Sequence, residues 1–251
     1  MRAYLSERFG GPYKPPRGWP NAGWRQRLRR VGRVAAYFLL AFVLVSVSAI
    51  VPLRWVDPPT TAFIVFDPND RVPLRQEWTD WAAMSASLPL AVVAAEDQKF
   101  AQHFGFDVES IQDAIADRTP GKSLRGASTI SQQVAKNLFL WRGRSFVRKG
   151  IEAYLTVLIE IALPKKRILE IYLNVAEFGP GIYGVGAASR AYFGKPPSRV
   201  NDSEAALLAA VLPNPNRLHA AAPSDYVRER QRWIYGQMQR LRREQWLQSI
   251  S

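Results

Sequence analysis

The sequence predicts a mainly α-helical domain that follows a single membrane-spanning helix, and three observations support this prediction. Positions 34–53, VAAYFLLAFVLVSVSAIVPL, form a run of 20 residues without a charge. From about residue 85 onward, apolar residues recur at the three- and four-residue spacing of amphipathic helices. Residues that favour helix starts precede several of these segments. Hydrophobic residues make up 47% of the chain, which is enough to build a packed core.

The first 33 residues form a basic segment that is rich in proline and glycine. They hold nine Lys and Arg against the single acid Glu7, and so carry +8 of the formal net charge of +13. Such a composition is typical of a disordered tail. A basic tail can bind nucleic acid, but its position directly before an apolar run favours a membrane protein instead. We therefore predict a disordered cytoplasmic tail over residues 1–33 and no nucleic-acid partner.

Residues 34–53 are long enough to cross a bilayer, because a helix needs about 20 apolar residues to do so. A cleaved signal peptide would have an apolar region of about 7–15 residues, nearer the N-terminus and followed by a small-residue cleavage site. Arginines cluster between positions 25 and 33, whereas Arg54 and Asp57 cancel after the run. The positive-inside rule then predicts a single-pass protein of the cytoplasmic (inner) membrane, with its N-terminus in the cytoplasm and residues 54–251 on the periplasmic side.

Short signals predict the elements that follow the span. The segment TTAFIVF (60–66) has the composition of a short strand. Ser87 and Pro89 mark the start of a helix that we expect to include AAEDQKFAQHFG (94–105). Residues 129–132 fit a capping box ahead of the next helix. Helical spacing predicts two more buried faces: Ile168, Ile171, Tyr172 and Val175 after Pro164, and Val227, Ile234, Met238 and Leu241 near the C-terminus.

The stretch AAEDQKFAQHFG contains the first candidate for chemistry. On a helix, Glu96, Phe100 and His103 would share one face with Val92, and Asp97 would lie about 100° away. Burial on that apolar face would raise the pKa of Glu96 and suit it to general acid or base catalysis. The alternative is a solvated helix end with His103 as an ordinary C-terminal cap. Taken alone, this segment favours the alternative.

Two further segments carry polar groups at helical spacing. Thr129, Gln133, Lys136 and Asn137 form a polar stripe with one cation, which suits a substrate rich in hydroxyl, amide and phosphate oxygens. Any amphipathic helix has a polar side, so the stripe is also compatible with plain solvation. In RKGIE (148–152), Arg148 and Glu152 are four residues apart, which in most helices gives a surface ion pair. A functional role requires a cation here to face a phosphate and Glu152 to stand near Glu96.

Several classes of site are disfavoured. The chain has two histidines and no cysteine, so it contains no dense metal-binding motif and cannot use disulfides or thiolates. The glycine-rich segment GPGIYGVG (179–186) is neither a Walker loop nor a dinucleotide fingerprint, and we expect a tight loop that leads into a helix at AASRAYF. The sequence has no Ser-x-x-Lys or Lys-Thr-Gly motif, which removes the acyl-serine chemistry of penicillin-binding proteins.

Taken in order, five segments over roughly residues 85–240 resemble the successive motifs of the peptidoglycan glycosyltransferases, which polymerise bacterial cell-wall glycan. They are EDQKFAQHFGFD, GASTISQQVAKNLFL, RKGIEAYLTVLIE, KKRILEIYLNVAEFGPGIYGVGAASRAYFGK and EAALLAAVLPNPNRL. Since no transpeptidase segment follows, the resemblance is to the monofunctional members. It implies a lysozyme-like, two-lobed glycosyltransferase domain. It also implies lipid II and the growing lipid-linked glycan chain as substrates, and cell-wall or division proteins as candidate partners.

The resemblance also implies roles for residues. Glu96 matches the family's general base, which deprotonates the GlcNAc 4-hydroxyl of the acceptor. Glu152 matches the residue that helps the leaving group or positions the substrate. The acceptor oxygen attacks the donor's anomeric carbon with inversion, and undecaprenyl pyrophosphate leaves. No tightly bound cofactor is implied, although a divalent cation, Mg²⁺ or Mn²⁺, could assist Glu152. By the same resemblance, the cations Lys136, Arg148 and Lys149 would bind pyrophosphate oxygens, and Thr129, Gln133 and Asn137 would contact sugar and phosphate. Asp97, Phe100 and His103 would form the wall of the Glu96 pocket. Lys195 would be a further substrate contact.

Two other functions remain open at this point. A lysozyme-like hydrolase or lytic enzyme would also use a glutamic acid of raised pKa, but as an acid on a glycosidic bond. It would have no need for the cations Lys136, Arg148 and Lys149, because its leaving group carries no pyrophosphate. A non-catalytic, membrane-anchored scaffold of the wall machinery would gain nothing from Glu96 and Glu152 together. Both alternatives are therefore weaker than the polymerase.

Overall fold

The computed structural model describes residues 22–66, 73–109, 112, 128–143 and 145–250. The helices of this part are α1 (Ala22–Ile50), α2 (Ala62–Val65), α3 (Ser87–Glu96), α4 (Ile130–Phe139), α5 (Phe146–Ala162), α6 (Lys165–Val175), α7 (Gly184–Phe193), α8 (Asp202–Val211) and α9 (Asp225–Arg243). The strands are β1 (Arg75–Gln76), β2 (Glu177–Gly179) and β3 (Ile182–Tyr183). Short 3₁₀ helices cover Val51–Arg54, Trp81–Ala83, Pro197–Arg199 and Trp246–Ile250. The fold is mainly α, as predicted.

Helix α1 contains residues 34–50 of the predicted membrane span. The segment Gln26–Arg54 includes an 18-residue window with a mean hydropathy of 2.6, and it is long and apolar enough to cross a membrane by length and composition. Many of its large apolar side chains are exposed, as Phe38 illustrates with 74% of its surface accessible. The helix begins at Ala22, so residues 22–33 are helical where a disordered tail was predicted. Arginine is a good helix former, which explains why the helix extends through the basic residues before the apolar run. Residues 1–21 of that predicted tail lie outside the described residues.

The chain divides into two compact units, residues 1–47 and residues 48–251. The second unit begins inside α1, and it buries Ile50 and Leu53 in its own core. Arg167 of α6 fixes the segment that follows, because its guanidinium donates hydrogen bonds to the carbonyl oxygens of Leu53 and Val56 and to Asp57. The residues just after α1 are therefore part of the globular unit rather than a loose linker.

The predicted strand at 60–66 is wrong, because this segment contains the single helical turn α2. Thr61 caps the turn, since its Oγ1 accepts a hydrogen bond from the backbone N–H of Ile64 at 3.1 Å. A local cap of this kind outweighs the β propensity of a short apolar run. Helix α2 packs on α4 and brings Phe63 to the cationic side chains there.

The core of the second unit is formed by helices that pack on one another. Helix α3 lies against α8 and α9, and α4 lies against α5 and α6. The two predicted apolar faces are both confirmed, since Ile168, Ile171, Tyr172 and Val175 of α6 and Val227, Ile234, Met238 and Leu241 of α9 are buried. The predicted capping box at Thr129 is also present, with Gln132 returning a side-chain bond to the Thr129 N–H. Local signals thus set the helices that surround the site.

Helix α3 ends at Glu96, earlier than predicted. Asp97 has φ −165° and ψ 77°, outside the helical region, and the chain then turns through residues 98–103. Glu96, Phe100 and His103 therefore do not share a helical face, and the spacing argument that joined them is wrong. Aspartate ends helices where its side chain finds other backbone partners, and Asp97 accepts a hydrogen bond from the N–H of Ile130, the first residue of α4.

The glycine-rich segment 179–186 forms a tight connection into α7, as predicted, and also contains strand β3 and the last residue of β2. Strand β3 pairs antiparallel with β2 and parallel with β1, giving the sheet order β1-β3-β2. Gly184 has φ +80°, and a Cβ at this position would lie 2.6 Å from the carbonyl oxygen of Asn174. Only glycine fits there, because both the left-handed backbone and the close approach exclude a side chain. The connection holds α7 against α6.

Candidate active site

Glu96 lies at the C-terminal end of α3, with 13% of its side chain exposed. Its Oε2 accepts a hydrogen bond from Nε2 of Gln133 at 2.9 Å. Its Oε1 is buried and has no hydrogen-bond partner among the residues that the structure describes, while Arg230 Nη2 stands 3.6 Å away. The carboxyl thus keeps one oxygen free of hydrogen bonds.

Burial raises the pKa of Glu96 above its ordinary value. The Gln133 hydrogen bond and the positive charges of Arg230 and Lys136 lower the pKa in part, and the negative charge of Asp97 raises it. Burial disfavours a charged carboxylate because the low-dielectric interior replaces water. A carboxyl with a raised pKa is a stronger proton acceptor when ionised, which is the property that general-base catalysis needs.

Tyr172 orients Gln133, the residue that donates a hydrogen bond to Glu96. Its hydroxyl donates a hydrogen bond to Oε1 of Gln133 at 3.2 Å, and the amide nitrogen of Gln133 then faces Glu96. Burial, together with the charges of Glu96 and Asp97, holds the pKa of Tyr172 well above its ordinary value, so the hydroxyl keeps its proton. The chain Tyr172–Gln133–Glu96 is a connected polar network, and such networks fix side-chain orientation.

Asp97, Phe100 and His103 form the support behind Glu96. The Asp97 carboxylate contacts His103 Nε2 at 2.9 Å and accepts the Ile130 N–H at 3.0 Å, which links the turn after α3 to the start of α4. Phe100 is fully buried, with its ring edge-on to His103 and the Lys165 ammonium 4.5 Å from its centroid. The described residues thus pair His103 with Asp97.

Only some of the polar side chains in the α4 stripe are accessible, because others are buried. Thr129 is the buried N-cap of the helix, and its hydroxyl donates to the carbonyl oxygen of Gly105 at 2.7 Å. Asn137 is buried, and its Oδ1 has no hydrogen-bond partner in the described part of the chain. Burial lowers the pKa of Lys136, while the charges of Glu152 and Glu96 raise it in part. Lys136 is thus close enough to both carboxylates to interact with each.

Glu152 lies on α5 and is only 3% exposed. Its Oε2 accepts a hydrogen bond from Arg148 Nη1 at 3.0 Å, and its Oε1 pairs with the Lys149 ammonium. The two cations differ in exposure, with 11% of the Arg148 side chain accessible against 48% of Lys149. The predicted pair at positions 148 and 152 is therefore present, and it is largely buried instead of lying on the surface.

Several of these residues line two adjoining cavities. The first, which we call the acid cavity, has a volume of about 310 Å³ and is lined by residues that include Glu96, Asp97, Thr129 and Trp233. The second, the cationic cavity, has a volume of about 330 Å³ and is lined by residues that include Lys136, Arg142, Arg148, Lys149 and Glu152. Ser128 lines both cavities. The structure thus brings a buried acid and a cluster of cations to neighbouring cavities.

Of the predicted site residues, Phe100, His103, Asn137 and Lys195 line neither cavity. Lys195 instead pairs with a side chain of α8. It follows α7, and its ammonium lies 2.6 Å from Oε2 of Glu204. Glu204 also belongs to the capping box of α8, in which Asn201 is the N-cap. Lys195 therefore reinforces the start of α8 in this structure, and no substrate role is proposed for it.

Sequence reasoning missed several side chains around the site. Arg230 comes from α9, where it was one of many arginines and carried no distinguishing signal. Tyr172 was assigned to an apolar face, and its hydroxyl function depends on a partner 39 positions away. Phe63 was placed on a strand, whereas its ring lies 5.2 Å from the Lys136 ammonium and 4.8 Å from the Arg142 guanidinium. Arg142 also donates to the Tyr183 hydroxyl at 2.8 Å. Only tertiary contacts identify these residues.

The described residues do not form a site for a divalent cation. No group of three or more histidine, aspartate or glutamate side chains that could hold a metal occurs in this part of the chain. The carboxylate of Glu152, the acid expected to assist such an ion, has both oxygens engaged by Arg148 and Lys149. Mg²⁺ is bound through carboxylate and phosphate oxygens, and here cations occupy that carboxylate. We therefore derive no step through a metal.

Comparison with known proteins identifies the family. The family model described as Transglycosylase matches residues 68–239, more than half of the chain. A biosynthetic peptidoglycan transglycosylase of Shewanella oneidensis is 49% identical over 218 residues, which cover 85% of this chain and 94% of that protein. A biosynthetic peptidoglycan transglycosylase of Pseudomonas aeruginosa is 48% identical over 220 residues, which cover 85% of this chain and 95% of that protein. These similarities confirm the resemblance found in the sequence, and the chain therefore belongs to the transglycosylase family, with a mainly α, lysozyme-like fold, and is a glycosyltransferase.

Proposed function

We propose that this protein polymerises peptidoglycan glycan strands, by transferring the growing lipid-linked chain onto the GlcNAc 4-hydroxyl of lipid II. The observation that carries the proposal is the adjacency of the two cavities, one with a buried acid and one with a cluster of cations. The relatives named above are peptidoglycan transglycosylases, which supports the same activity here.

Glu96 acts as the general base. Its carboxylate takes the proton of the acceptor's 4-hydroxyl, and the oxygen forms a new bond to the anomeric carbon of the donor. The bond between that carbon and the pyrophosphate oxygen breaks at the same time, so the configuration inverts from α to β. The burial that raises the pKa of Glu96 supports this role, because it makes the carboxylate a better proton acceptor. The proton then passes from Glu96 to water.

The cations of the second cavity stabilise the leaving group. The electron pair of the broken bond stays on undecaprenyl pyrophosphate, and its developing charge is matched by Lys136, Arg148 and Lys149. Glu152 holds Arg148 and Lys149 in position through its two carboxylate oxygens. Glu152 therefore serves as a positioning residue in this scheme, and Gln133 and Asn137 offer amide groups for sugar and phosphate oxygens.

The cationic cavity also separates this proposal from a glycan-cleaving enzyme. A hydrolase of the lysozyme type releases an uncharged sugar hydroxyl, so three cations beside its catalytic acid would serve no purpose. Burying a cation is costly unless it has a partner, and Lys136 is buried enough for its pKa to fall. A site that bears this cost suits an anionic ligand. The pyrophosphate of a lipid-linked sugar is such a ligand.

The helix α1 supports a membrane-bound substrate. A lipid-tethered donor and acceptor stay at the bilayer, so the enzyme must be held there as well. The charge distribution around the apolar run favours an N-terminus in the cytoplasm and a catalytic domain on the periplasmic side of the inner membrane. Partners among cell-wall or division proteins remain a proposal with no residue assigned.

The test is polymerisation of purified lipid II. The full-length protein is expected to produce glycan that lysozyme digests, and Glu96→Gln is expected to lose this activity by a factor of about 10² or more, as removal of a general base does. Glu244→Gln, at an exposed carboxyl after α9, is the matched control and should keep full activity. An active Glu96→Gln variant with an unchanged melting temperature would reject Glu96 as the base.

A further inference from the structure

Trp233 is an exposed aromatic residue with no evident structural purpose. It lies on α9, with 49% of its surface accessible, and it lines the acid cavity together with Glu96. Leaving a large indole half exposed forgoes about half of the stabilisation that full burial would provide. Its position at the wall of a cavity therefore points to a ligand.

Helix α9 holds Trp233 in a fixed place. Another face of the helix buries Ile234 and Met238 in the core. Arg230, one turn before Trp233, donates a hydrogen bond to the carbonyl oxygen of Ala95 at 3.3 Å, and Arg240 donates to the side chain of Gln98. These contacts tie α9 to the end of α3 on both sides of Trp233. An aromatic surface on such a rigid helix is preorganised for binding.

Apart from Trp233 and two alanines, the residues that line the acid cavity are polar. Gln98, Lys99, Asp107 and Ser128 line it, and together they supply amide, ammonium, carboxylate and hydroxyl groups. A pyranose ring has two kinds of surface, with C–H groups on its faces and hydroxyls around its rim. The C–H face packs on an aromatic ring, and the hydroxyls need donors and acceptors. One aromatic wall and several polar walls match this chemistry.

We propose that Trp233 is the platform on which the acceptor sugar stacks, so that its 4-hydroxyl is directed at Glu96. The inference rests on the proposed function, because it takes Glu96 as the base. The position of the cations supports it: the cluster of Lys136, Arg148 and Lys149 lies in the cationic cavity, which suits the donor's pyrophosphate and leaves the acid cavity, with Glu96 and Trp233, to the acceptor. Trp233 is thus a substrate-positioning residue of the acceptor.

The test measures sugar binding separately from pyrophosphate binding. The probe for the acid cavity is the soluble GlcNAc–MurNAc disaccharide, which lacks pyrophosphate, and the probe for the cationic cavity is inorganic pyrophosphate. Trp233→Ala in the full-length protein is expected to weaken disaccharide binding about tenfold, which is the scale of a lost aromatic contact, and to leave pyrophosphate binding unchanged. Trp233→Phe is expected to keep most of the affinity, because a phenyl ring still offers a flat face.

Tyr235 supplies the matched control. It is 43% exposed on the same helix and lines neither cavity, so Tyr235→Ala should bind the disaccharide as the wild type does. In polymerisation of lipid II, Trp233→Ala should raise KM for lipid II at least as much as it lowers kcat.

Two results would overturn the proposal. One is disaccharide affinity in Trp233→Ala equal to that of the wild type. The other is unchanged sugar binding with weaker binding to lipid vesicles that lack lipid II, which would make Trp233 a membrane-interface residue. Either result leaves polymerisation by the wild-type protein intact, whereas failure of the proposed function would abolish polymerisation of lipid II altogether.

Discussion

At the scale of single residues, the site depends on a carboxyl that the fold keeps out of water. Glu96 retains a raised pKa although Gln133, Arg230 and Lys136 all lower it, which indicates that burial has the largest effect. A group whose pKa is raised on folding destabilises the native state as pH rises through that pKa, because the native state must then release a proton that it holds more tightly. The protein thus gives up some stability at neutral pH to keep a carboxyl of raised pKa in the cavity.

Tyr172 is the residue most suited to test how neighbouring groups set the pKa of Glu96. Tyr172→Phe removes the hydroxyl that orients Gln133, so Gln133 donates less well to the Glu96 carboxylate. The charged form of Glu96 is then less stabilised, and its pKa should rise further. Because the base must be ionised, the acidic limb of the kcat/KM profile should move to higher pH, by up to about one unit for one hydrogen bond.

The matched control for this change is Tyr192→Phe. The Tyr192 hydroxyl donates to the carbonyl oxygen of Phe178 and lies on neither cavity wall. The profile of that variant should superimpose on that of the wild type. A shift of the Tyr172→Phe profile to lower pH would contradict the proposed direction of the Tyr172–Gln133–Glu96 network.

At the scale of elements, the site is assembled by contacts between helix ends. Asp97 links the end of α3 to the start of α4, and the i, i+4 pair of Arg148 and Glu152 sets the cationic wall on α5. The capping box, the apolar faces and this ion pair could be predicted from the sequence, because each depends on residues of a single helix and its cap. The end of α3 could not, because Asp97 bonds to a backbone group 33 positions away.

The link between α3 and α4 gives a stability prediction. Asp97→Ala leaves the Ile130 N–H and His103 without their carboxylate, which should cost about 1–3 kcal/mol for the lost buried partner. For a domain of this size, each kcal/mol corresponds to a fall in Tm of about 2–4 °C. Asp97→Asn should lose less, because its amide oxygen can still accept from the Ile130 N–H.

The control for this measurement is Asp225→Ala, which changes an exposed aspartate in the first turn of α9. Thermal unfolding of the three variants should rank Asp97→Ala as the least stable. Equal melting temperatures for Asp97→Ala and Asp225→Ala would show that the contact between α3 and α4 contributes nothing to stability.

At the scale of the whole molecule, the sequence predicted the membrane helix, the helical domain and the family, but it did not show that the end of the predicted span belongs to the globular unit. The predicted span ended at residue 53, yet Ile50 and Leu53 belong to the core of the second unit. Composition identifies an apolar run but cannot divide it between lipid and protein core, because both bury the same residue types. The division into two lobes and the orientation across the membrane stay predictions.

Two truncations separate these parts of the apolar run. Removing residues 1–47 should leave the melting temperature unchanged and should lower activity on lipid II in vesicles more than on lipid II in detergent. Removing residues 1–53 should in addition lower the melting temperature, because it deletes the buried side chains of Ile50 and Leu53. Identical melting temperatures of the two truncated proteins would contradict the boundary between units.

The central claim is that a base in the acid cavity and cations in the cationic cavity act in one transfer step. The most direct measurement counts the undecaprenyl pyrophosphate released and the new β-linkages formed from lipid II, in the wild-type protein and in Glu96→Gln. The account predicts equal amounts of both products for the wild type and the loss of both in the variant. Release of undecaprenyl pyrophosphate without new linkages, or equal yields from the two proteins, would contradict it.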